Sequence, residues 1–348
     1  MLIRKIVFIR AQTLLKKQFN FKSMSTLPKV LITRNDIPED AILLLQSKCD
    51  VEIYGKPSPI PRDELLKRVK GKNGIFCLIT EKINQEVFEA AGSTLKVVGT
   101  MSAGYDHVDL TECKKRGILV GNTPDVLTDA TAELTVALLL ATSRRLFEAN
   151  QQVTNGGWVK CAWGPLWMCG QSLQGSTVGI IGLGRIGFGV AERLKAFKVK
   201  NIVYSGNRAK VEAMEKLNAK FVPLDELLKQ SDFVVACCAL TPENKVMMNK
   251  EAFKKMKKNA IFINTSRGAL VNQDDLYEAL TTGVIHAAGL DVLDPEPLPV
   301  DHKLTKLPNC VLLPHIGSAT IETRTTMALL TAKNILAGLE GKPLLCPL

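Results

Sequence analysis

The sequence predicts a two-domain α/β protein built on parallel sheets, and three observations predict it. The chain's 348 residues exceed what one ordinary core organises and suit two domains of usual size. Short apolar runs alternate with helical segments in two successive series, the signature of parallel strands covered by helices. The second series opens on a glycine-rich turn, Gly182-Leu-Gly184-Arg185-Ile186-Gly187, set between an apolar run and a helical stretch.

In chain order, the first strand is expected at Lys29–Thr33, behind Pro28. Pro38 then stands where a helix through Ala41–Leu45 begins. Further strands are expected at Val51–Tyr54, Gly74–Ile79, Leu95–Thr100 and Ile118–Gly121, with helices such as Arg62–Val69 and Gln85–Ala91 between them. One long helix is expected from Asp125 to Ala149; its nearly all-round apolar character assigns it to a buried place between lobes or at a subunit interface. The Trp- and Gly-rich stretch Gly156–Gly170 reads as irregular. The second series runs through Ser176–Ile181, Asn201–Ser205, Phe233–Cys237, Ala260–Asn264, Ala287–Asp291 and Val311–Leu313. Ligands of such sheets sit beyond the carboxyl ends of the strands, so strand-end loops facing an interlobe cleft are where chemistry is expected.

Composition narrows the function classes. Hydrophobic residues make up 46% and charged residues 23%, which is globular composition, and no apolar run reaches the length of a membrane span. The nine cysteines are scattered and form no C-x-x-C pair, so they read as reduced residues of an intracellular protein, with no disulfide framework or metal site expected. The net charge of +11 suggests nucleic acid until its distribution is read. Eight cations and no acid fall within residues 1–35, leaving about +3 for the other 313, an ordinary balance with no nucleic-acid partner expected. The segment 1–27 is a basic extension. Up to Met24 it resembles a mitochondrial transit peptide, though it is poor in serine; a start at Met24 would leave the protein cytoplasmic.

The glycine turn carries a dinucleotide reading. Gly182 permits the tight turn, Gly184 lets the backbone approach a pyrophosphate, and Gly187 allows close packing of helix on strand. The helix N-terminus beginning at Arg185-Ile186 supplies donors and positive potential. At the end of the next strand, NAD-selective sites place an acid against the ribose 2′-hydroxyl. Here stand Ser205, Gly206 and Asn207, followed by Arg208 and Lys210, with no carboxylate to repel a 2′-phosphate. NADPH is therefore the expected cofactor, with NADH a weaker alternative.

Three polar residues follow strands of the same sheet. Asn264-Thr265-Ser266-Arg267-Gly268 puts a planar guanidinium, suited to a carboxylate or a ketone oxygen, at one strand end. Gly289-Leu-Asp291-Val runs into Asp294-Pro-Glu296-Pro, and Pro314-His315-Ile-Gly317 brings in one of only four histidines. Singly, Arg267 could cap a helix, Glu296 could be a loop charge and His315 a core histidine. Together they mark a catalytic constellation.

These motifs, with Met101-Ser-Ala-Gly104 and Thr123-Pro-Asp-Val-Leu-Thr-Asp129, resemble the D-isomer-specific 2-hydroxyacid dehydrogenase family from about Pro28 to the C-terminus. Within it the likeness is to the branch that reduces glyoxylate and hydroxypyruvate. The resemblance implies two lobes, Rossmann-like and flavodoxin-like, across a cleft: residues 125–315 bind the cofactor, while 28–124 with 316–348 form the substrate-binding domain. It implies reduction of a small 2-keto acid, with His315 the proton donor, Glu296 its partner favouring the imidazolium, and Arg267 the substrate clamp. Ala103 and Gly104 would cradle the substrate carboxylate, with Ser318 close by. Asp291 would orient the nicotinamide carboxamide, with Thr265, Gly317 and Ala239 lining the same pocket. Lobe closure would bring Gly104 to Arg267.

The family's dimer arm matches the region of Lys160–Trp167, so a homodimer is expected. Trp163 or Trp167 would then reach the partner subunit's pocket, or pack within the dimer interface. Two other readings stay open: a phosphoglycerate- or lactate-type dehydrogenase, which for a phosphate would need cations besides Arg267, and a dinucleotide-sensing corepressor.

Overall fold

The computed structural model describes residues 27–348; the reading of the basic leader falls outside the described residues. Strands β1 (Lys29–Ile32), β2 (Asp50–Ile53), β3 (Gly74–Cys77), β4 (Val97–Thr100) and β5 (Leu119–Gly121) form a parallel sheet in the order β2-β1-β3-β4-β5. Its central strands are buried on both faces: Val30, Leu31, Ile32, Ile75 and Phe76 have no exposed surface. Unbroken apolar runs are what a parallel sheet covered by helices on both sides requires. Those helices are α1 (Glu39–Gln46), α2 (Arg62–Arg68), α3 (Gln85–Ala91) and α4 (Leu110–Arg116). Helix α1 does begin behind Pro38, whose missing N–H costs nothing at a helix start.

The single helix expected over Asp125–Ala149 is two. Helix α5 (Thr128–Ser143) stops at Arg144, and α6 (Leu146–Thr154) restarts after Arg145, which adopts φ +54° and pairs with Glu148. A left-handed arginine cannot continue a right-handed helix. The two halves also have different surroundings. Leu138 and Leu139 of α5 are buried against the second sheet, whereas α6 buries no residue. The stretch expected to be irregular contains a short helix, α7 (Gly157–Cys161), and carries Trp163 at 82% and Leu166 at 86% exposure.

The second sheet consists of β6 (Thr177–Ile181), β7 (Asn201–Ser205), β8 (Lys220–Phe221), β9 (Phe233–Ala236), β10 (Ile261–Asn264), β11 (Ala287–Leu290) and β12 (Cys310–Leu312). Its order is β12-β11-β10-β9-β6-β7-β8, parallel throughout, with α8 (Arg185–Ala196), α9 (Val211–Leu217), α10 (Leu224–Gln230), α11 (Lys250–Lys255) and α12 (Gln273–Thr281) around it. The two-residue edge strand β8 had no counterpart in the sequence reading. Chain direction across the sheet reverses between β6 and β9, and that switch point opens the ligand crevice.

The chain finally returns to the first sheet. Helix α13 (Ile321–Leu339) packs on β3 and β4, and Gly99 makes the approach possible, because a Cβ there would stand 2.7 Å from Ile335. Buried Asn334 staples the tail, donating to the Asn122 carbonyl at 3.1 Å and accepting from the Cys346 N–H at 3.0 Å. Among the described residues no helix is long and apolar enough to cross a membrane.

Candidate active site

The glycine turn after β6 takes the conformation its residues permit. Gly182 has φ +89°, and a Cβ on it would lie 2.6 Å from the Cys238 backbone. A Cβ on Gly187 would strike the Gly182 carbonyl at 2.4 Å, so α8 packs on its strand only through glycine. Gly184 has open space where its side chain would be and precedes Arg185 and Ile186 in the first turn of α8. The Arg185 side chain pairs with Asp125. Because Ile181 lies beside Ser205 in the sheet, the loop bearing Asn207, Arg208 and Lys210 emerges next to this turn, and all three are exposed.

Between the two sheets lies a cavity of about 1210 Å³. Ala103, Gly104 and Asp106 line it from the first sheet's loops, Ile186, Ala239, Thr265, Arg267, Asp291, Glu296 and His315 from the second sheet's side, and Gly317 and Ser318 from the connection that leads back to the first sheet. The catalytic and substrate residues expected from sequence are therefore brought together in one cleft. The glycine turn and the Asn207–Lys210 loop lie outside it, apart from Ile186.

At its centre, His315 Nδ1 and Glu296 Oε2 are 2.7 Å apart, and Glu296 Oε1 accepts the Leu293 N–H at 2.8 Å. Both carboxylate oxygens are thereby used to fix the imidazole. Burial disfavours ionisation of Glu296, but the hydrogen bond and charge of His315 outweigh it and hold the carboxyl below its usual range. His315 itself sits at φ +55°, a costly conformation for a non-glycine residue, fixed by its N–H donating to the Asp291 carbonyl at 2.8 Å. Among the described residues, Nε2 has no hydrogen-bond partner.

Asp291 is buried at the end of β11. Its Oδ1 accepts the Ile316 N–H at 2.8 Å, while Oδ2 is buried with no hydrogen-bond partner among the described residues. Burial raises its pKa, against the backbone N–H groups of Ile316 and Gly317. An orphaned acceptor is costly in isolation and calls for a donor from a ligand. The amide of a nicotinamide carboxamide has that chemistry. Thr265, with its hydroxyl 2.8 Å from that of Thr135, is held in place nearby.

Arg267 reaches across the cleft. Its Nε donates to Asp106 Oδ1 at 2.8 Å and Nη1 donates to the Ser266 carbonyl at 2.8 Å. A Cβ on Gly104 would lie 1.6 Å from Nη2, so the guanidinium rests directly on the Gly104 backbone. The loop below is tied by a chain of hydroxyls. His107 Nε2 and the Ser102 hydroxyl each stand 2.8 Å from Thr100 Oγ1, and the Ser102 hydroxyl donates to the Gly104 carbonyl at 2.7 Å.

Four residues in or beside the cleft were not singled out by sequence reasoning. Asp106 lies 161 positions from the arginine it pairs with, and no spacing rule links them. His107 was one of the four histidines but has no strand-end position to mark it. Arg34 and Arg324 also line the cavity, so Arg267 is not its only cation. Arg34 pairs with Asp36, whereas among the described residues Arg324 donates only to the Ser318 carbonyl, at 3.3 Å.

Two α/β domains with a dinucleotide turn and a His–Glu pair facing an arginine define a nicotinamide-linked oxidoreductase. The D-isomer specific 2-hydroxyacid dehydrogenase NAD-binding domain matches residues 136–317, and the chain belongs to that family. It is 54% identical over 319 residues to the human glyoxylate reductase/hydroxypyruvate reductase, covering 91% of this chain and 97% of the human one. It is 48% identical to the glyoxylate reductase of Pyrococcus horikoshii, over 90% of this chain and 94% of that one. A Thermus thermophilus structure superposes with a TM-score of 0.85 at 44% identity, covering 92% of this chain and 99% of the other. The NADPH-dependent glyoxylate/hydroxypyruvate reductase of Sinorhizobium meliloti, solved with NADP and malonate, superposes at 0.81 with 32% identity, over 93% and 97%.

Proposed function

We propose that the protein reduces glyoxylate to glycolate and hydroxypyruvate to D-glycerate, using NADPH. The observation that carries this reading is the 2.7 Å Glu296–His315 pair, set in the same cavity as Arg267 and the unpartnered Asp291 oxygen. When bound, NADPH supplies the hydride for the keto carbon. The chain's residues do the rest, which is orientation and charge. Asp291 Oδ2 and Thr265 would hold the carboxamide end, with Ala239 and Gly317 beside them. The Ala103–Gly104 backbone and Arg267 bind the substrate carboxylate, with Ser318 at the rim. His315 Nε2 gives its proton to the developing alkoxide while Glu296 keeps the ring aimed.

The preference for NADPH rests on the exposed Asn207-Arg208-Ala-Lys210 loop, which offers two cations and no acid. Similarity to the human relative supports the substrate class, and similarity to the Sinorhizobium relative supports the substrate class and the cofactor. In this reading residues 125–315 form the cofactor domain, and 28–124 with 316–348 the substrate domain. The exposed arm bearing Trp163 and Trp167 pairs two copies into a homodimer, and Trp163 helps shape the partner's pocket. The basic leader addresses the chain to mitochondria; a product begun at Met24 stays in the cytoplasm.

Purified protein should oxidise NADPH with glyoxylate and hydroxypyruvate, and more slowly with pyruvate. Faster turnover with NADH would refute the cofactor reading. Unchanged substrate preference in Trp163→Ala would remove that residue from the pocket. Arg34 and Arg324 favour one further trial substrate, a phosphorylated three-carbon 2-keto acid. Turnover of it above that of hydroxypyruvate would move the protein to the phosphoglycerate-type branch.

A further inference from the structure

We infer that Asp106 is the positioning residue for Arg267 and the latch that holds the cleft closed. The inference rests on the reading of Arg267 as the carboxylate-binding arginine. Asp106 and Arg267 belong to opposite sides of the cleft, yet Asp106 Oδ1 takes the Nε–H of Arg267 at 2.8 Å. The pair is only partly open to water, with the two side chains 37% and 21% exposed.

The geometry divides the guanidinium's donors. Nε goes to Asp106, and one Nη1 bond goes to the Ser266 carbonyl. Nη2, lying on the Gly104 backbone, keeps its hydrogens for a ligand. An arginine held by one edge presents the other in a fixed orientation, and that lowers the entropy lost when a planar carboxylate docks. Without Asp106, Arg267 would keep only its link to the neighbouring Ser266 and would sample several rotamers.

The same bond reports on closure. Asp106 stands two residues beyond Gly104, on the loop braced by His107, Thr100 and Ser102. That loop cannot withdraw from the second domain without breaking the ion pair. Opening, which cofactor exchange demands, therefore separates two charges into water, and closure restores them. Burial works against the ionised Asp106, but the charge and hydrogen bond of Arg267 hold its carboxyl below its usual range. The pair thus stays charged whenever the cleft is shut. Asp106 touches neither substrate nor cofactor in this scheme; it acts through Arg267.

The test is a double-mutant cycle on the full-length protein, read as glyoxylate KM and as oxamate binding to the NADPH complex. Asp106→Asn should raise both constants by about tenfold, a typical loss for one orienting contact, while NADPH affinity stays within about twofold. Asp106→Glu should recover part of the loss, since it keeps the charge. In an Arg267→Met background, Asp106→Asn should add nothing further. An equal loss in that background, or wild-type constants for Asp106→Asn itself, would overturn the inference. Should Asp106→Asn fail to fold, the Asp106→Glu and Asp106→Ser pair carries the same comparison, with Ser expected to be the weaker binder and equal constants overturning it. The underlying reading fails separately, if Arg267→Met alone leaves the glyoxylate KM and oxamate binding unchanged.

Discussion

The two ends of the proposed ligand crevice are built differently. At the His315 end, ionisable groups are buried or part-buried and held in place: Glu296 uses both oxygens, Arg267 is held by Asp106 and Ser266, and Asp291 is anchored through Oδ1 by the Ile316 N–H. At the Asn207 end, Arg208 and Lys210 extend from an exposed loop, and the acid nearest in sequence, Glu212, is paired with Lys216. The difference teaches where each property resides. In the proposed reaction, chemistry needs preorganised dipoles at a conformational cost, and the left-handed backbone of His315 carries such a cost. Cofactor choice, on the proposed reading, needs only a local charge, which an exposed surface side chain can supply.

If that contrast holds, the largest losses fall at the first end and in turnover. His315→Ala should lower kcat by roughly 10³-fold, within the range for removing a general acid, with NADPH affinity nearly unchanged. Stopped-flow reduction and NADPH fluorescence quenching separate the two; lost NADPH binding would mark His315 as structural. Gly104→Ala comes next, at about 10²-fold in kcat/KM, because its methyl would occupy the space of Arg267 Nη2 and misplace the clamp. Wild-type kcat/KM in that variant would mean the cleft works in a more open form. Glu296→Gln keeps the shape but not the charge and should cost about tenfold to 10²-fold in kcat. A loss in KM alone would show that Glu296 binds substrate rather than aiming His315.

Much of this arrangement was legible because it is local. A turn between strand and helix announces itself in consecutive residues; Arg267 and His315 were singled out because each follows an apolar run, and Asp291 through the family resemblance. The contacts between domains were not legible. Asp106 is an ordinary loop acid until folding sets it against Arg267, and Arg324 reads as a helix charge until α13 returns to the first sheet and faces it into the cavity. The break at Arg145 was hidden for a related reason. The apolar residues on either side continue a helical pattern, and only the backbone turn at Arg145 and its Glu148 pair reveal the end of α5.

At the second end the expected losses are small and specific to one cofactor. Arg208→Ala and Lys210→Ala should each raise the NADPH KM roughly fivefold, since an exposed ion pair contributes about 1 kcal/mol or less. The NADH KM should not move, and added salt should shrink the difference between variant and wild type. Equal losses with both cofactors would place these residues on the pyrophosphate and erase the contrast on which the NADPH assignment rests.

The smallest effect probes how the first end is braced. Among the described residues His107 Nδ1 is buried without a partner, and burial pushes the ring's pKa down to about 4, with Arg267 adding to the shift against Asp106. An unfolded histidine titrates near 6.5. Below that pH the unfolded chain takes up a proton that the folded ring refuses until about 4, so folding stability falls as pH is lowered through this window and is unaffected above it. His107→Gln keeps an amide for the Thr100 hydroxyl but removes the titration. Between pH 7 and 4, wild type should therefore lose on the order of 1–3 kcal/mol more than the variant, measured by urea unfolding at each pH. Parallel stability curves would show that the ring accepts its proton while folded. The loop carrying Gly104 and Asp106 would then be looser than its hydroxyl chain implies, and the chemical end less distinct from the open one.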